Sequence, residues 1–298
     1  MASLSQWVQG ARPRTLPAAL APVAAGTGAA IWQLESLYGS VDWSLVVPRA
    51  LLALGVSFSL QIGVNFANDY SDGIRGTDDD RVGPFRLTGS GAAPAATVKR
   101  AAIVALALGA GFGLALIALA QIWWTLLIGA AAIAAAWFYT GGAKPYGYRG
   151  LGELFVFLFF GLVAVNGTAY AITGQLSWVA LLASVAIGLL AVALMLTNNL
   201  RDIPTDTVAG KRTLAVRLGE RGTRALYTAT VLAPFALMVP VILEHLAVAL
   251  VLLALPLAIG PVRRVLQGTS GRELIPVLGA TGRLELVYSL LLLIGLIL

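Results

Sequence analysis

Long apolar runs separated by short polar segments dominate the chain. They fall at 16–32, 46–66, 100–119, 122–139, 152–172, 177–197, 225–243, 246–262 and 284–298. A helix needs about 20 apolar residues to cross the hydrocarbon core, whereas buried strands run to only about 4–8. The pattern therefore predicts an all-α, polytopic membrane helical bundle of about nine transmembrane helices. Pro256 interrupts the eighth run; proline is tolerated in such helices where neighbours take up the freed carbonyl.

The polar segments test this map. With the N-terminus in the cytoplasm and nine crossings, nineteen of the 20 Lys and Arg residues fall on the inner side. Only Arg49 is left outside. Cytoplasmic loops carry such an excess of cations, so the N-terminus is expected to be cytoplasmic and the C-terminus outside. Trp32, Trp43, Trp123, Trp124, Trp178 and Tyr38 lie near outer helix ends, where an interfacial aromatic belt is expected. The polar stretch before the first run lacks a signal-peptide pattern.

Composition narrows the chemistry. Hydrophobic residues make up 58% and charged ones 11% of 298 residues, with a mean hydropathy of +0.85, which argues against a soluble enzyme and against disorder. There is no cysteine and one histidine, so thiolate chemistry and multi-histidine metal sites are excluded. The net charge of +6 follows from the loop bias, and no nucleic-acid partner is expected.

Acid groups at membrane depth are costly and usually functional. Five of the 14 acids lie within Asp69–Asp80, after the second run. If that helix continues through Asp72, then Asn65, Asn68, Asp69 and Asp72 share one face at i, i+3, i+4, i+7. A second stripe, Asn198, Asp202 and Asp206, ends the sixth run, on one face if the helix survives Pro204. Two motifs four helices apart suggest a single domain of two pseudo-repeat halves, roughly 15–140 and 150–298. Facing carboxylates repel unless a cation lies between them. Hard oxygen ligands suit Mg²⁺, which is commonly shared between carboxylates and a substrate phosphate, so a Mg²⁺-bridged diphosphate is expected. Arg75, Arg81, Arg86, Lys144, Arg149, Arg201, Lys211 and Arg212 could clamp its oxygens. The competing reading pairs these acids and bases as a solvated face. A third inner segment, Tyr139–Glu153, combines glycines, tyrosines and two cations; its aromatic faces can stabilise a passing cation, or it is a flexible connector with interfacial tyrosines.

Together these segments resemble the UbiA superfamily of membrane prenyltransferases. Asn68-Asp69-Tyr70-Ser71-Asp72 is similar to its N-D-x-x-D signature and Asp202-Ile203-Pro204-Thr205-Asp206 to its D-x-x-x-D signature. Ala11–Leu16, Gly76-Thr77-Asp78 followed by Arg81–Pro84, and Tyr139–Glu153 are similar to the menaquinone branch, the 1,4-dihydroxy-2-naphthoate polyprenyltransferases. One departure is Gly76, four residues beyond Asp72, where the superfamily often has an acid; Asp78 is the nearest substitute.

The resemblance implies Mg²⁺-dependent transfer of a polyprenyl group from polyprenyl diphosphate to 1,4-dihydroxy-2-naphthoate. Diphosphate and CO2 are released, giving demethylmenaquinone in the cell membrane with the active site facing the cytoplasm. It implies metal ligation by Asn68, Asp69, Asp72, Asp78, Asp202 and Asp206. Diphosphate or acceptor binding would fall to Asn65, Arg75, Arg81, Lys144, Tyr146, Arg149, Asn198, Arg201 and Lys211, and catalysis to Asp72, Asp202, Lys144 and Tyr139. Another aromatic acceptor (4-hydroxybenzoate, homogentisate or haem) would share the metal chemistry. A secondary transporter would place its acids nearer the midplane.

Overall fold

The structure, a computed structural model, describes residues 2–76 and 85–298. A short helix, α1 (Leu4–Ala11), precedes α2 (Pro17–Tyr38), and the two are bent by 47° across the intervening turn. Then follow α3 (Trp43–Gly73), α4 (Ala95–Ala120), α5 (Trp123–Phe138), α6 (Gly152–Thr173), α7 (Trp178–Val208), α8 (Leu214–Glu244), α9 (Leu246–Leu266) and α10 (Gly271–Ile297). Each apolar run falls, to within one residue at either end, inside one of the helices α2–α10.

By length and composition seven of these helices could cross a membrane among the described residues, and an eighth if α1 and α2 form one bent span. The chain is thus a multi-pass, all-helical membrane protein of seven to eight candidate spans. The expected nine is not reached because α5 is shorter than 18 residues, below the roughly 20 that hydrocarbon thickness asks for.

Two helices outrun their apolar segments, and both carry acids. α3 and α7 are each 31 residues long. Each starts at a tryptophan behind a side-chain cap: Asp42 accepts from the Ser44 amide, and Ser177 from the Ala180 amide. α3 continues through Asp72, and α7 runs unbroken past Pro204 to Val208. The two acid stripes are therefore helical.

α7 is the central helix, with 72% of its most apolar window buried inside the protein. Small residues let neighbours approach it closely. A Cβ on Gly161 of α6 would lie 2.6 Å from the Gly188 Cα and 2.7 Å from the Ser184 carbonyl, so α6 and α7 touch backbone to backbone there. Around this crossing α6 widens into a π-helical stretch, Phe157–Val163. Arg49, the one cation expected outside, donates to the carbonyls of Ala171 (3.0 Å) and Ile172 (2.9 Å) at the end of α6. It also reaches Leu119 (3.4 Å) at the end of α4. A cation there satisfies carbonyls that a helix terminus leaves without partners.

Candidate active site at the ends of α3 and α7

The first stripe is buried along its length: Asn65, Asn68, Asp69 and Asp72 are all under 9% exposed. Its members nevertheless do different things. The Asn65 amide nitrogen donates to the Ala11 carbonyl and to the Thr15 hydroxyl oxygen, both at 3.0 Å. It fastens the Ala11–Leu16 turn and is not turned to the acids. Asp69 accepts the backbone N–H groups of Leu87 (2.7 Å) and Thr88 (2.9 Å), one on each oxygen. Metal ligation was expected of Asp69; the structure gives both its oxygens to the loop before α4. Asn68 accepts the Thr140 hydroxyl at 2.8 Å.

Asp72 is the point of convergence. One oxygen accepts the Tyr148 phenol and lies 3.7 Å from the Lys211 Nζ; the other lies 3.3 Å from the Arg86 Nη2. Lys211 is buried, and its ammonium also stands 4.0 Å from an Asp206 oxygen. One cation thus bridges the carboxylate ending α3 to the one ending α7.

Local sequence explains how Lys211 gets there. Gly210 takes a left-handed φ of 70° after α7, a conformation glycine adopts without strain. The Lys211 amide then folds back to the Asp206 carbonyl at 2.8 Å. One turn earlier, Arg201 grips Asp202 through Nε (2.7 Å) and Nη2 (2.8 Å). Among the described residues Asn198 donates to the Leu194 carbonyl of its own helix, at 3.4 Å, and to no acid.

The segment between α5 and α6 is clamped by both stripes. Arg75, beyond α3, donates to the carbonyls of Thr140 and Gly142. From beyond α7, the Arg212 amide donates to the Tyr148 carbonyl (2.9 Å) and Arg217 to the Arg149 carbonyl (2.7 Å). Tyr148 lies between the two anchoring sides, with the Lys211 Nζ 4.5 Å and the Arg75 Cζ 5.7 Å from its ring centre. Tyr146 stacks on Phe155 at 4.1 Å and donates to the Ala135 carbonyl; Tyr139 meets the Tyr146 ring edge-on at 5.6 Å. The Tyr139 phenol is held well above its ordinary pKa, first by burial and then by the fields of Glu153, Tyr146, Asp72 and Asp206. It stays protonated at neutral pH amid those carboxylates.

Lys144 and Arg149 are exposed. Asp78 and Arg81, together with Asp79, Asp80 and the Arg81–Pro84 stretch, lie outside the described residues. Sequence reasoning missed the part of Tyr148, which it counted only among the loop tyrosines, and that of Glu153. Glu153 is buried at the start of α6, and one of its oxygens accepts the Asn199 amide at 2.8 Å. A glutamate at the head of an apolar run was the available signal.

Among the described residues no three acids gather tightly enough to hold a metal by themselves. That fits an ion held by one or two carboxylates with substrate phosphates and water completing its shell. The carboxylates of Asp72 and Asp206, with a cation already between them, form such a partial set.

The model of the UbiA prenyltransferase family matches residues 18–278. The 1,4-dihydroxy-2-naphthoate octaprenyltransferase of Mycobacterium tuberculosis is 55% identical over 293 residues, covering 97% of this chain and 96% of that protein. The Escherichia coli protein of the same name is 39% identical over 301 residues, covering 98% of this chain and 95% of that one. Among solved structures, an apo UbiA homologue from Aeropyrum pernix superposes with a TM-score of 0.67 at 19% identity, covering 91% of this chain and 94% of that one. An Archaeoglobus fulgidus homologue bound to GPP and Mg²⁺ does so with a TM-score of 0.62 at 16% identity, covering 95% and 98%.

Proposed function

The chain belongs to the UbiA prenyltransferase family, and from that premise we propose that it transfers a polyprenyl group from polyprenyl diphosphate to 1,4-dihydroxy-2-naphthoate. Diphosphate and CO2 leave, and demethylmenaquinone is the product. The acceptor is inferred from the names of full-length relatives. The observation that carries the chemistry is the Asp72–Lys211–Asp206 bridge, which joins the two acid motifs through one buried ammonium.

Asp72 and Asp206, with Asn68 and Asp202 beside them, would hold Mg²⁺. When bound, the ion neutralises charge that builds on the departing diphosphate. This chain's own groups do the rest. Lys211 and Arg86 are buried donors beside the carboxylates and stabilise the same charge by direct hydrogen bonds to phosphate oxygens. The aromatic walls of Tyr139, Tyr146 and Phe155 give the allylic cation a dry surface with which its charge interacts favourably. Lys144 and Arg149, both exposed, would meet the incoming diphosphate.

We place the protein in the cell membrane with N-terminus and site cytoplasmic and C-terminus outside, spanning nine times, in contact with membrane lipid. Support comes from the contact between Thr140 and Asn68: α5, though short, brings the chain back to the end of α3 where the acids are. The pseudo-repeat is supported by the matched length, tryptophan start and acidic end of α3 and α7.

The test is purified protein in lipid nanodiscs with labelled polyprenyl diphosphate and candidate aromatic acceptors, with EDTA and with Mg²⁺ restored. Prenylated naphthoate that vanishes with EDTA and returns with Mg²⁺ is expected. Turnover indifferent to EDTA overturns the metal assignment; prenylation of a different acceptor alone overturns the naphthoate.

A further inference from the structure

Glu153 carries a feature that the diphosphate site does not use. It is 5% exposed. Its Oε1 accepts the Asn199 amide at 2.8 Å, and its Oε2 is buried with no hydrogen-bond partner among the described residues. A buried acceptor left without a donor is destabilising, and more so when it is ionisable. The surroundings are rigid. A Cβ on Gly152 would meet the Met195 sulfur at 3.0 Å and the Tyr139 ring at 3.3 Å, so the first turn of α6 is wedged between α7 and the Tyr139 ring. Asn199 lies one turn before Asp202 on α7. Glu153 is thus tied, through Asn199, to the stretch of α7 that leads into the Asp202–Asp206 motif.

We propose that Glu153 is the acceptor-binding residue: its Oε2 accepts a hydrogen bond from a ring hydroxyl of the aromatic acceptor, while Asn199 fixes the carboxylate. This rests on the reading of the protein as an aromatic prenyltransferase. A hydroxyl donor supplies what the buried oxygen lacks. The hydrogen bond also turns the ring toward the allylic carbon and enriches it in electron density, with the proton remaining on the hydroxyl. Among the described residues Asn199 is the group that orients Glu153; in Glu153→Gln the amide oxygen would stay with Asn199, and an N–H would replace the acceptor at the second position.

The test measures both KM values and acceptor binding by quenching of naphthoate fluorescence in the absence of prenyl diphosphate, for wild type, Glu153→Gln and Glu153→Asp. Glu153→Gln is expected to weaken acceptor binding and raise its KM by about tenfold or more, the loss typical of a hydrogen bond to a charged group. The KM for prenyl diphosphate should stay within about twofold, and Glu153→Asp should recover part of the loss. Wild type should also prefer the dihydroxy acceptor over the analogue lacking one hydroxyl, a preference that Glu153→Gln loses. Unchanged acceptor KM and binding, or equal rises in both KM values, overturn the assignment. If Glu153→Gln does not accumulate, Glu153→Asp and the hydroxyl-deleted acceptor decide it by the same criteria. A wild-type protein that prenylates no aromatic acceptor defeats the functional reading itself, which is a separate outcome.

Discussion

Asp69 and Asp72 sit three residues apart on one helical face, yet their partners differ in kind. Asp69 receives two backbone amides and so holds a loop, whereas Asp72 meets a phenol and two cations. Asp69→Ala should therefore lower stability by roughly 2 kcal/mol, since charged hydrogen bonds typically contribute 1.5–3, and a melting curve in detergent reads this directly. Asp72→Ala should leave insertion intact and reduce turnover by at least about 10³. A wild-type rate in Asp72→Ala would remove it from the site. Lys211 is under a stronger constraint, because it neutralises two buried acids. Lys211→Met leaves these facing each other and should cost both stability, by about 3–5 kcal/mol, and activity; added Mg²⁺ should restore part of the stability if the ion takes the same place. The stripes could be read from residue spacing, because i, i+3, i+4 periodicity fixes a face. The division of labour within a stripe could not: which oxygen meets Leu87 or Lys211 depends on residues 18 and 139 positions away, respectively. Tyr148 was hidden for the same reason.

At the scale of elements, hydrophobic periodicity located every helix from α2 to α10 but not their ends. Apolar runs stop where lipid stops, whereas helices continue as long as backbone bonds and buried polar contacts sustain them. α3 and α7 continue for the acids, and α8 begins at Leu214 behind the Thr213 cap, ahead of its run at 225. The shortness of α5 made the crossing number harder to fix than helix existence. Packing between helices could not be read from the apolar runs. Gly161 shows why: a Cβ there would lie 2.6 Å from the Gly188 Cα, and this close approach holds α6 against α7, where Glu153 meets Asn199. Gly161→Val should separate the helices, lowering stability by about 1–3 kcal/mol as overpacking does, and should lower turnover with the acid residues untouched. Gly167 on the same helix has open space where a Cβ would go, so Gly167→Ala should alter neither. If the two variants melt alike, the close crossing is not what holds α6 in place.

For the whole molecule the governing constraint is that both acid motifs and the α5–α6 segment share one end of the bundle. Helix number and sidedness are then linked. An even number of crossings between Asp72 and Tyr139, and again between Tyr139 and Asp206, is required to bring all three together, and in the proposed nine-crossing topology α4 with α5, then α6 with α7, supply two each. If α5 failed to traverse, Tyr148 would lie across the bilayer from Asp72, against the observed hydrogen bond. In that topology the same count sends α10 outward. The chain contains no cysteine, so single cysteines report sidedness without background. Gln175→Cys, in the α6–α7 turn, and Leu298→Cys should react with a membrane-impermeant maleimide in intact cells. Gln267→Cys, after α9, should react only in inverted vesicles. Labelling of Gln267→Cys and Gln175→Cys from the same side would break the nine-crossing topology and with it the cytoplasmic placement of the site. The opposite result would tie the proposed diphosphate-binding end to the leaflet to which the nine-crossing topology assigns nineteen of the 20 basic side chains, where positive loops would hold that orientation.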